Sequence, residues 1–392
     1  MLDDFLKYQA KTTPHPIGLE IDYAKGSYLF DTSGKSYLDF IAGVSALPLG
    51  HSHPKVVKAL KDQIDKYMHV MVYGEFAQAP SVALCKKLIE LLPPSHEQIY
   101  LTNSGTEAIE GALKLAKRST QKTKLIAAHN SYHGSTHGAL SLLGYEHQKK
   151  GYRPLLPGVH FIAFNDEKDL DQIDSNTAAV LLETIQGGAG FILPEDNYLK
   201  KVKNRCDAVG ALLILDEIQP GFGRTGKIFG FENFGVVPDI VVMGKALGGG
   251  LPIGAFSASK KLMQKLEVDP KLGHITTFGG NPVIATAAHT TIVELMAGKW
   301  VEGIAKKEKL FRTQLKHPLI KTIRGKGLML APVFLDSIIP ALLVPRCIEK
   351  GLLLFWLLWE KKAVRISPPL NISDEDIVKG CQIINETLDE IQ

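Results

Sequence analysis

The sequence predicts an α/β protein. Its centre is a mostly parallel, seven-stranded sheet with helices on both faces, joined by a smaller α+β domain. Three observations carry this. Between about residues 80 and 260 short apolar runs alternate with helical patterns, the signature of βαβ units. There are seven such runs. Beyond residue 282 the pattern changes to a long helical region followed by short strands and a closing helix.

The elements follow in order. Residues 1–60 form an irregular arm in which Gly26–Asp31 and Lys35–Phe40 flank Thr32-Ser33-Gly34, a hairpin signal. Gly50-His-Ser-His-Pro54 is a turn leading to a helical pattern at Val56, Val57, Leu60 and Ile64. The seven strand candidates are Gln98–Leu101, Lys124–Ala127, Val159–Ile162, Ala178–Leu182, Ala211–Leu215, Asp239–Met243 and Ile253–Ser257. Helical patterns such as Glu107–Arg118 and Asn197–Ala208 lie between them. After Gly279–Pro282 come a helical region over 283–315, strands at Thr322–Val333, Gly351–Phe355 and Ala363–Ile366, and a helix over Asp374–Ile391. The expected division is an N-terminal arm (1–60) that joins the small domain, a large domain (61–282) and a small C-terminal domain (283–392).

Composition sets bounds on function. The 392 residues are 45% hydrophobic and 22% charged, ordinary for a soluble globular chain. The 45 basic and 41 acidic residues leave a net charge of +4, too balanced to argue for a nucleic acid partner. Cys85, Cys206, Cys347 and Cys381 lie far apart, so neither a zinc site nor a disulfide framework is indicated, and a reduced, cytoplasmic setting is expected. The N-terminal Met-Leu-Asp-Asp-Phe-Leu-Lys lacks the apolar core of a signal peptide, and the apolar run Leu352–Trp359 is too short to span a bilayer. His51 and His53 offer two metal ligands without a third nearby, which favours turn or packing roles.

In open parallel sheets, ligands sit beyond the carboxyl ends of the strands. Five candidate strands end in polar clusters. They are Ser104-Gly105-Thr106-Glu107, Tyr132-His133-Gly134-Ser135-Thr136, Glu183 with Gln186, Asp216-Glu217 with Gln219, and Lys245 followed by Ala-Leu-Gly-Gly-Gly. Ser104 and Glu107 match a capping box, and the same turn offers free backbone N–H groups and hydroxyls to a phosphate. Asp216 reads either as a local cap or salt bridge or as the partner of a protonated ring nitrogen. Lys245 is a turn lysine or, deprived of water past an apolar strand, an amine nucleophile. Asp216 and Lys245 are about 30 residues apart, the length of one βαβ unit, so they sit at one edge of the sheet. Lysine, aspartate and phosphate cradle together describe a pyridoxal phosphate site.

The chain resembles the class III (subgroup II) aminotransferases of fold type I, the group of acetylornithine, ornithine, 4-aminobutyrate and diamine (putrescine) aminotransferases. The resemblance spans nearly the whole chain. It rests on Tyr28-Leu-Phe-Asp, Tyr37-Leu-Asp-Phe, Leu49-Gly-His-Ser-His-Pro, Asn103-Ser-Gly-Thr-Glu-Ala, Tyr132-His-Gly-Ser-Thr, Glu183-x-x-Gln-Gly, Leu215-Asp-Glu-Ile-Gln, Gly221-Phe-Gly-Arg-Thr-Gly, Gly244-Lys-Ala-Leu-Gly-Gly-Gly, Thr276-Thr-Phe-Gly-Gly-Asn-Pro and Val364-Arg-Ile-Ser-Pro-Pro-Leu, in that order.

The resemblance implies roles. Lys245 is the Schiff-base lysine and proton shuttle, and Asp216 holds the ring nitrogen. Gln219 and Glu183 lie near the ring's phenolic oxygen and the substrate. Tyr132 stacks on the ring with His133 beside it. Ser104, Gly105 and Thr106 bind the phosphate. Thr277 reaches the phosphate of the neighbouring subunit, which implies a homodimer. Arg365 forks onto a substrate carboxylate. The segments Gly43–Leu47 and Tyr67–Tyr73, with Trp356, are expected at the substrate mouth. No chemical role follows for Arg224. The implied reaction is ping-pong transamination between an amino acid, diamine or amine and an α-keto acid such as 2-oxoglutarate or pyruvate.

Two positions depart from the family pattern. Ser135 stands where many ω-amino acid enzymes have an arginine, and Gly188 stands where many have a glutamate that masks the C-terminal arginine. Arg365 is therefore expected unmasked, and whether Arg153 replaces the missing arginine stays open. A diamine, an apolar amine or an amino acid held through Arg365 fits better than the donors of the ornithine and 4-aminobutyrate enzymes. The alternatives are an acetylornithine/ornithine-type enzyme proper, a dialkylglycine-decarboxylase-like enzyme, and a non-catalytic protein of the same fold.

Overall fold

A computed structural model describes residues 1–391. Seven strands form the central sheet. With three strands of the N-terminal arm, Ile21–Lys25 (β1), Tyr28–Asp31 (β2) and Ser36–Asp39 (β3), numbered before them, they are Gln98–Thr102 (β4), Lys124–Ala128 (β5), Val159–Ile162 (β6), Thr177–Glu183 (β7), Leu212–Asp216 (β8), Ile240–Gly244 (β9) and Gly254–Ala258 (β10). Each begins and ends within a residue or two of its sequence-based span. The spatial order is β4-β10-β9-β8-β7-β5-β6. β10 runs antiparallel to both of its neighbours, while β9, β8, β7, β5 and β6 are mutually parallel. This is the mostly parallel seven-stranded α/β sheet that the sequence predicts.

Side chains along a strand alternate between faces, and here the alternation separates two cores. Ile126, Val180, Leu182, Leu213, Leu215, Val241 and Met243 enter the larger core, whereas Leu125, Ala179, Leu181, Ile214, Ile240 and Val242 enter the other. The helix Gly105–Thr120 buries Ala108, Ile109, Ala112, Leu115 and Ala116 in that second core. Because both faces are covered, β7, β8, β9 and β10 are buried almost throughout. Only their carboxyl ends remain to receive polar side chains.

β1, β2 and β3 form an antiparallel meander whose β2–β3 turn is Thr32–Lys35. β3 continues the sheet by pairing in parallel with Leu352–Leu353. The helical region beyond 282 is two helices, Pro282–Ala297 and Ile304–Gln314, because Gly298 and the turn up to Gly303 interrupt it. The single strand expected over Thr322–Val333 is a hairpin of Ile320–Lys326 (β11) and Met329–Phe334 (β12), reversed at Gly327-Leu328. Gly327 has φ +64°, and a Cβ there would stand 2.4 Å from Arg224 O, so only glycine makes this turn. Leu352–Leu353 (β13) and Phe355–Trp356 (β14) follow. β14 pairs antiparallel with Val364–Arg365 (β15).

Candidate active site

β7, β8 and β9 place three charged residues side by side. Glu183 and Asp216 are register partners at the ends of β7 and β8, and Asp216 lies opposite Val242 of β9, with Lys245 following one residue after that strand ends. Lys245 takes φ +44°, a left-handed conformation that costs a non-glycine residue energy and recurs at functional sites. Burial pushes its amine down to about 8, against the pull of Asp216 and Glu183 and with that of Arg365. An amine so placed is a far better nucleophile and base near neutrality than a surface lysine.

Asp216 is held on both oxygens. Oδ2 lies 2.8 Å from His133 Nδ1, and Oδ1 accepts from Ile218 N at 3.0 Å. His133 is fully enclosed, and its Nε2 is buried with no partner among the described residues. Glu183 accepts from Tyr132 N at 3.1 Å and Gly187 N at 2.8 Å. Burial and the neighbouring Asp216 push it up to about 7, although His133 and the two amides work the other way. Glu183 therefore takes up a proton far more readily than a surface carboxylate does.

The helix Gly105–Thr120 starts at this edge. Ser104 Oγ caps it by accepting from Glu107 N at 3.3 Å. The reciprocal half of the expected capping box is not made. Glu107 Oε2 instead accepts from Asn103 N at 2.7 Å and Asn103 Nδ2 at 2.9 Å, which straps the loop to the helix. The amides of Gly105 and Thr106, at the first two helical positions, have no intrahelical acceptor. A Cβ on Gly105 would lie 2.7 Å from Ile218 Cδ1, and a Cβ on Gly244 would lie 3.4 Å from Gly105 Cα. Thr106 Oγ1 meets Thr136 Oγ1 at 2.7 Å, which ties this helix to the Tyr132–Thr136 loop. Tyr132 OH reaches Ser135 Oγ at 3.4 Å.

Gln219 sits nearby. A Cβ on Gly187 would stand 2.5 Å from its Oε1, and its Nε2 reaches Ser45 Oγ at 3.4 Å. That contact brings the Gly43–Leu47 segment to the site. Asp39 shapes the segment, accepting from Ile41 N and Ala42 N on one oxygen and meeting His51 Nε2 at 2.8 Å on the other. Arg365 is buried, with Nε donating to Trp356 O at 3.2 Å. Burial lowers its guanidinium to about 10 with no charged neighbour offsetting the effect.

The remaining residues make other contacts. Thr277 is exposed, between exposed Ile275 and Phe278. Tyr67–Tyr73 is largely exposed too, and Met68 O accepts from Asn281 Nδ2 at 3.0 Å. Arg153 binds Glu146 through Nε (3.1 Å) and Nη2 (2.6 Å) on the surface, so its fork is already engaged. Trp356 gives its indole N–H to Pro340 O at 3.2 Å. Arg224 is buried and donates to Leu328 O and Pro368 O, joining the Gly221–Gly226 loop to the C-terminal segment.

Ser45 and Glu217 lay within expected segments but had no role of their own in the sequence. Glu217 is wholly buried, accepting from Thr184 Oγ1 at 2.5 Å, Gly230 N at 2.6 Å and Phe231 N at 2.8 Å, and so anchors the loop after β8. Its place directly after Asp216 was the only signal.

These residues suit pyridoxal phosphate: a desolvated amine, a carboxylate fixed one strand away, and a helix N-terminus whose first amides are free. Comparison with known proteins agrees. The aminotransferase class-III family model matches residues 8–388. An acetylornithine aminotransferase of Caldanaerobacter subterraneus subsp. tengcongensis is 39% identical over 386 residues, covering 94% of each chain. A putrescine aminotransferase of Pectobacterium atrosepticum is 38% identical over 407 residues, covering 99% of this chain and 86% of that one. The ornithine aminotransferase structure from Toxoplasma gondii ME49 superimposes with a TM-score of 0.92 at 31% identity, covering 100% of this chain and 96% of the other. Fold and site define a pyridoxal phosphate-dependent transferase of fold type I. Within that group, the chain belongs to the class III aminotransferases.

Proposed function

We propose that this aminotransferase moves an amino group between an amino acid bearing a single carboxylate and an α-keto acid such as pyruvate or 2-oxoglutarate. The observation that carries the reading is Arg365, buried and without an acid partner, in a site whose Lys245 amine is desolvated beside Asp216. A guanidinium left in that state gains from a substrate carboxylate and loses from an apolar amine that brings none. Ser135 adds no second cation, and Arg153 is spent on Glu146.

Bound pyridoxal phosphate supplies an electron sink for the charge left when a proton leaves the donor's amino-bearing carbon. Lys245 Nζ would hold the cofactor, and its desolvated amine would take the proton that leaves the donor carbon. Asp216, oriented by His133, would hold the cofactor's ring nitrogen. Ser104, Gly105 and Thr106 would hold the phosphate at the helix N-terminus. Tyr132, Glu183 and Gln219 would complete the pocket around the ring and the substrate. Arg365 sets which end of the substrate faces Lys245.

A homodimer is part of the proposal, with Thr277 of each subunit reaching the phosphate site of the other. The exposed Met68, Met71, Phe76, Ile275 and Phe278 support it, because apolar surface of this extent is normally covered. The division at residues 60 and 282 is proposed too, supported by the β3–β13 pairing that joins the arm to the C-terminal part. A cytoplasmic location fits the four free cysteines, and among the described residues no helix is long and apolar enough to cross a membrane.

A donor panel with 2-oxoglutarate and with pyruvate tests the reading. Monocarboxylic amino acids are expected to give the highest kcat/KM. A high value for a diamine or another amine without a carboxylate would overturn the donor class, and carbon dioxide release from a dialkylglycine would replace transamination by decarboxylation. Lys245→Ala is expected to lose turnover by many orders of magnitude, and near-native activity would refute the assignment of the lysine.

A further inference from the structure

The segment that carries Arg365 lies against the loop that follows β7. Leu357 is buried in one cluster with Ile185 and Phe191. Trp359 N donates to Gly188 O at 2.9 Å. Glu360 accepts from Arg324 Nη1 at 2.9 Å, and both side chains lie against Gly190. The centre of this seam is the Trp359 indole. A Cβ on Gly188 would stand 2.7 Å from its Nε1, 3.1 Å from Cδ1 and 3.2 Å from Cε2. The indole therefore fills the volume that any side chain at 188 would take. The indole also stacks on Tyr145, with centroids 4.5 Å apart and planes 22° from parallel. Its N–H is buried without an acceptor among the described residues, a cost that close packing over Gly188 has to outweigh.

The placement matters because Gly188 is one residue from Gly187, which abuts Gln219 and Glu183, and because Trp359 lies between Trp356, whose carbonyl orients Arg365, and Arg365 itself. We propose that Trp359, stacked on Tyr145 and seated over Gly188, is a specificity-determining residue of the substrate site. It docks the Arg365 segment, keeps position 188 empty of any carboxylate that could pair with Arg365, and presents an aromatic surface to the substrate. The substrates selected are amino acids with one carboxylate for Arg365 and an apolar or aromatic side chain. A second carboxylate finds neither a cation at 135 nor a polar wall at 359, so of the two acceptors pyruvate is expected to be the better and 2-oxoglutarate the poorer. The proposal rests on the transaminase reading above and sharpens its donor class.

The test is a set of Trp359→Ala and Trp359→Phe holoenzymes assayed with leucine, phenylalanine, alanine and glutamate as donors. Removing this much apolar wall is expected to lower kcat/KM for leucine and phenylalanine roughly 10- to 100-fold, mainly through KM. Alanine and glutamate are expected to change far less, and Trp359→Phe to restore the large donors. In parallel, Gly188→Ala is expected to lower the melting temperature of the otherwise wild-type protein by a few degrees but to leave the Trp359→Ala background unchanged. An equal fall for all four donors, no rescue by phenylalanine at 359, or the same melting shift in both backgrounds would overturn the proposal while the wild type stays active. Absence of transamination by the wild type with every pair would overturn the parent reading, and this one with it.

Discussion

Replacing Lys245 by methionine should stabilise the protein it inactivates. The lysine's amine is held at about 8, against its ordinary 10.5, because burial outweighs the attraction of Asp216 and Glu183. An unfolded chain keeps that proton up to 10.5, while the folded one releases it near 8. Between those values the unfolded state binds more protons, so wild-type stability rises with pH across the window. Below pH 8 the full cost of the buried ammonium is present, and near 10.5 it has gone. At about 1.36 kcal/mol per pH unit, the cost is about 3 kcal/mol at pH 7 and below 1 kcal/mol near pH 10. Lys245→Met removes it and keeps the apolar stem. A chain of this length has an unfolding entropy of about 0.8 kcal/mol/K, so cofactor-free Lys245→Met is expected to melt about 4 °C above the cofactor-free wild type at pH 7. Calorimetry of both proteins at pH 7 and pH 10 measures this. A variant no more stable at pH 7, or a gap that does not shrink with pH, would refute the claim that Lys245 is a strained, desolvated amine.

Other expectations concern single contacts. Arg365→Met forfeits a charge-assisted fork of about 1.5–3 kcal/mol, so KM for carboxylate donors should rise roughly 10- to 150-fold while donors lacking a carboxylate are unaffected. Asp216→Asn should keep the cofactor, seen by absorbance, yet lose most turnover, because an amide neither stabilises a protonated ring nor accepts from His133 and Ile218 in the same way. In Gly105→Ala the new methyl meets Ile218 at 2.7 Å. Overpacking of that kind costs about 1–3 kcal/mol, so cofactor affinity should drop, with Ile218→Val restoring part of it. Phe278→Glu puts charge on the exposed apolar surface beside Thr277 and should shift the dimer towards monomer by light scattering, with activity lost in parallel.

The sheet was legible because its strands are short, apolar and separated by amphipathic helices. The site's backbone of Lys245, Asp216 and Ser104–Thr106 was legible for a related reason: parallel strands deliver their carboxyl ends to one edge. What escaped depends on contacts that no local pattern encodes. Glu107 was expected to bond the backbone of Ser104 but took Asn103, a choice between adjacent amides that loop geometry makes. The 320–334 hairpin hid inside one strand candidate because its reversal uses Gly327 and an apolar Leu328, without the usual polar pair in a two-residue turn. Gly188 was read as a missing glutamate. That tryptophan fills the gap could not be read, since Trp359 lies in a different part of the chain. Arg153 was a candidate substitute by residue type alone, and in the structure it pairs with Glu146 at the surface.

The antiparallel strand β10 has a consequence for how such an enzyme can change. At one level of the sheet Gly254 stands between Thr102 and Gly244, and a Cβ on it would fall 2.0 Å from Ser104 O. Main chain touches main chain there, so the lysine's strand and the phosphate turn are locked without any side chain that mutation could trade. The surfaces at 135, 145 and 359, by contrast, are built by side chains on loops. Random mutagenesis under selection for a new donor should therefore collect changes at those loop positions and almost none at 105, 244 or 254. The chemistry is inherited as backbone geometry, and substrate choice drifts around it.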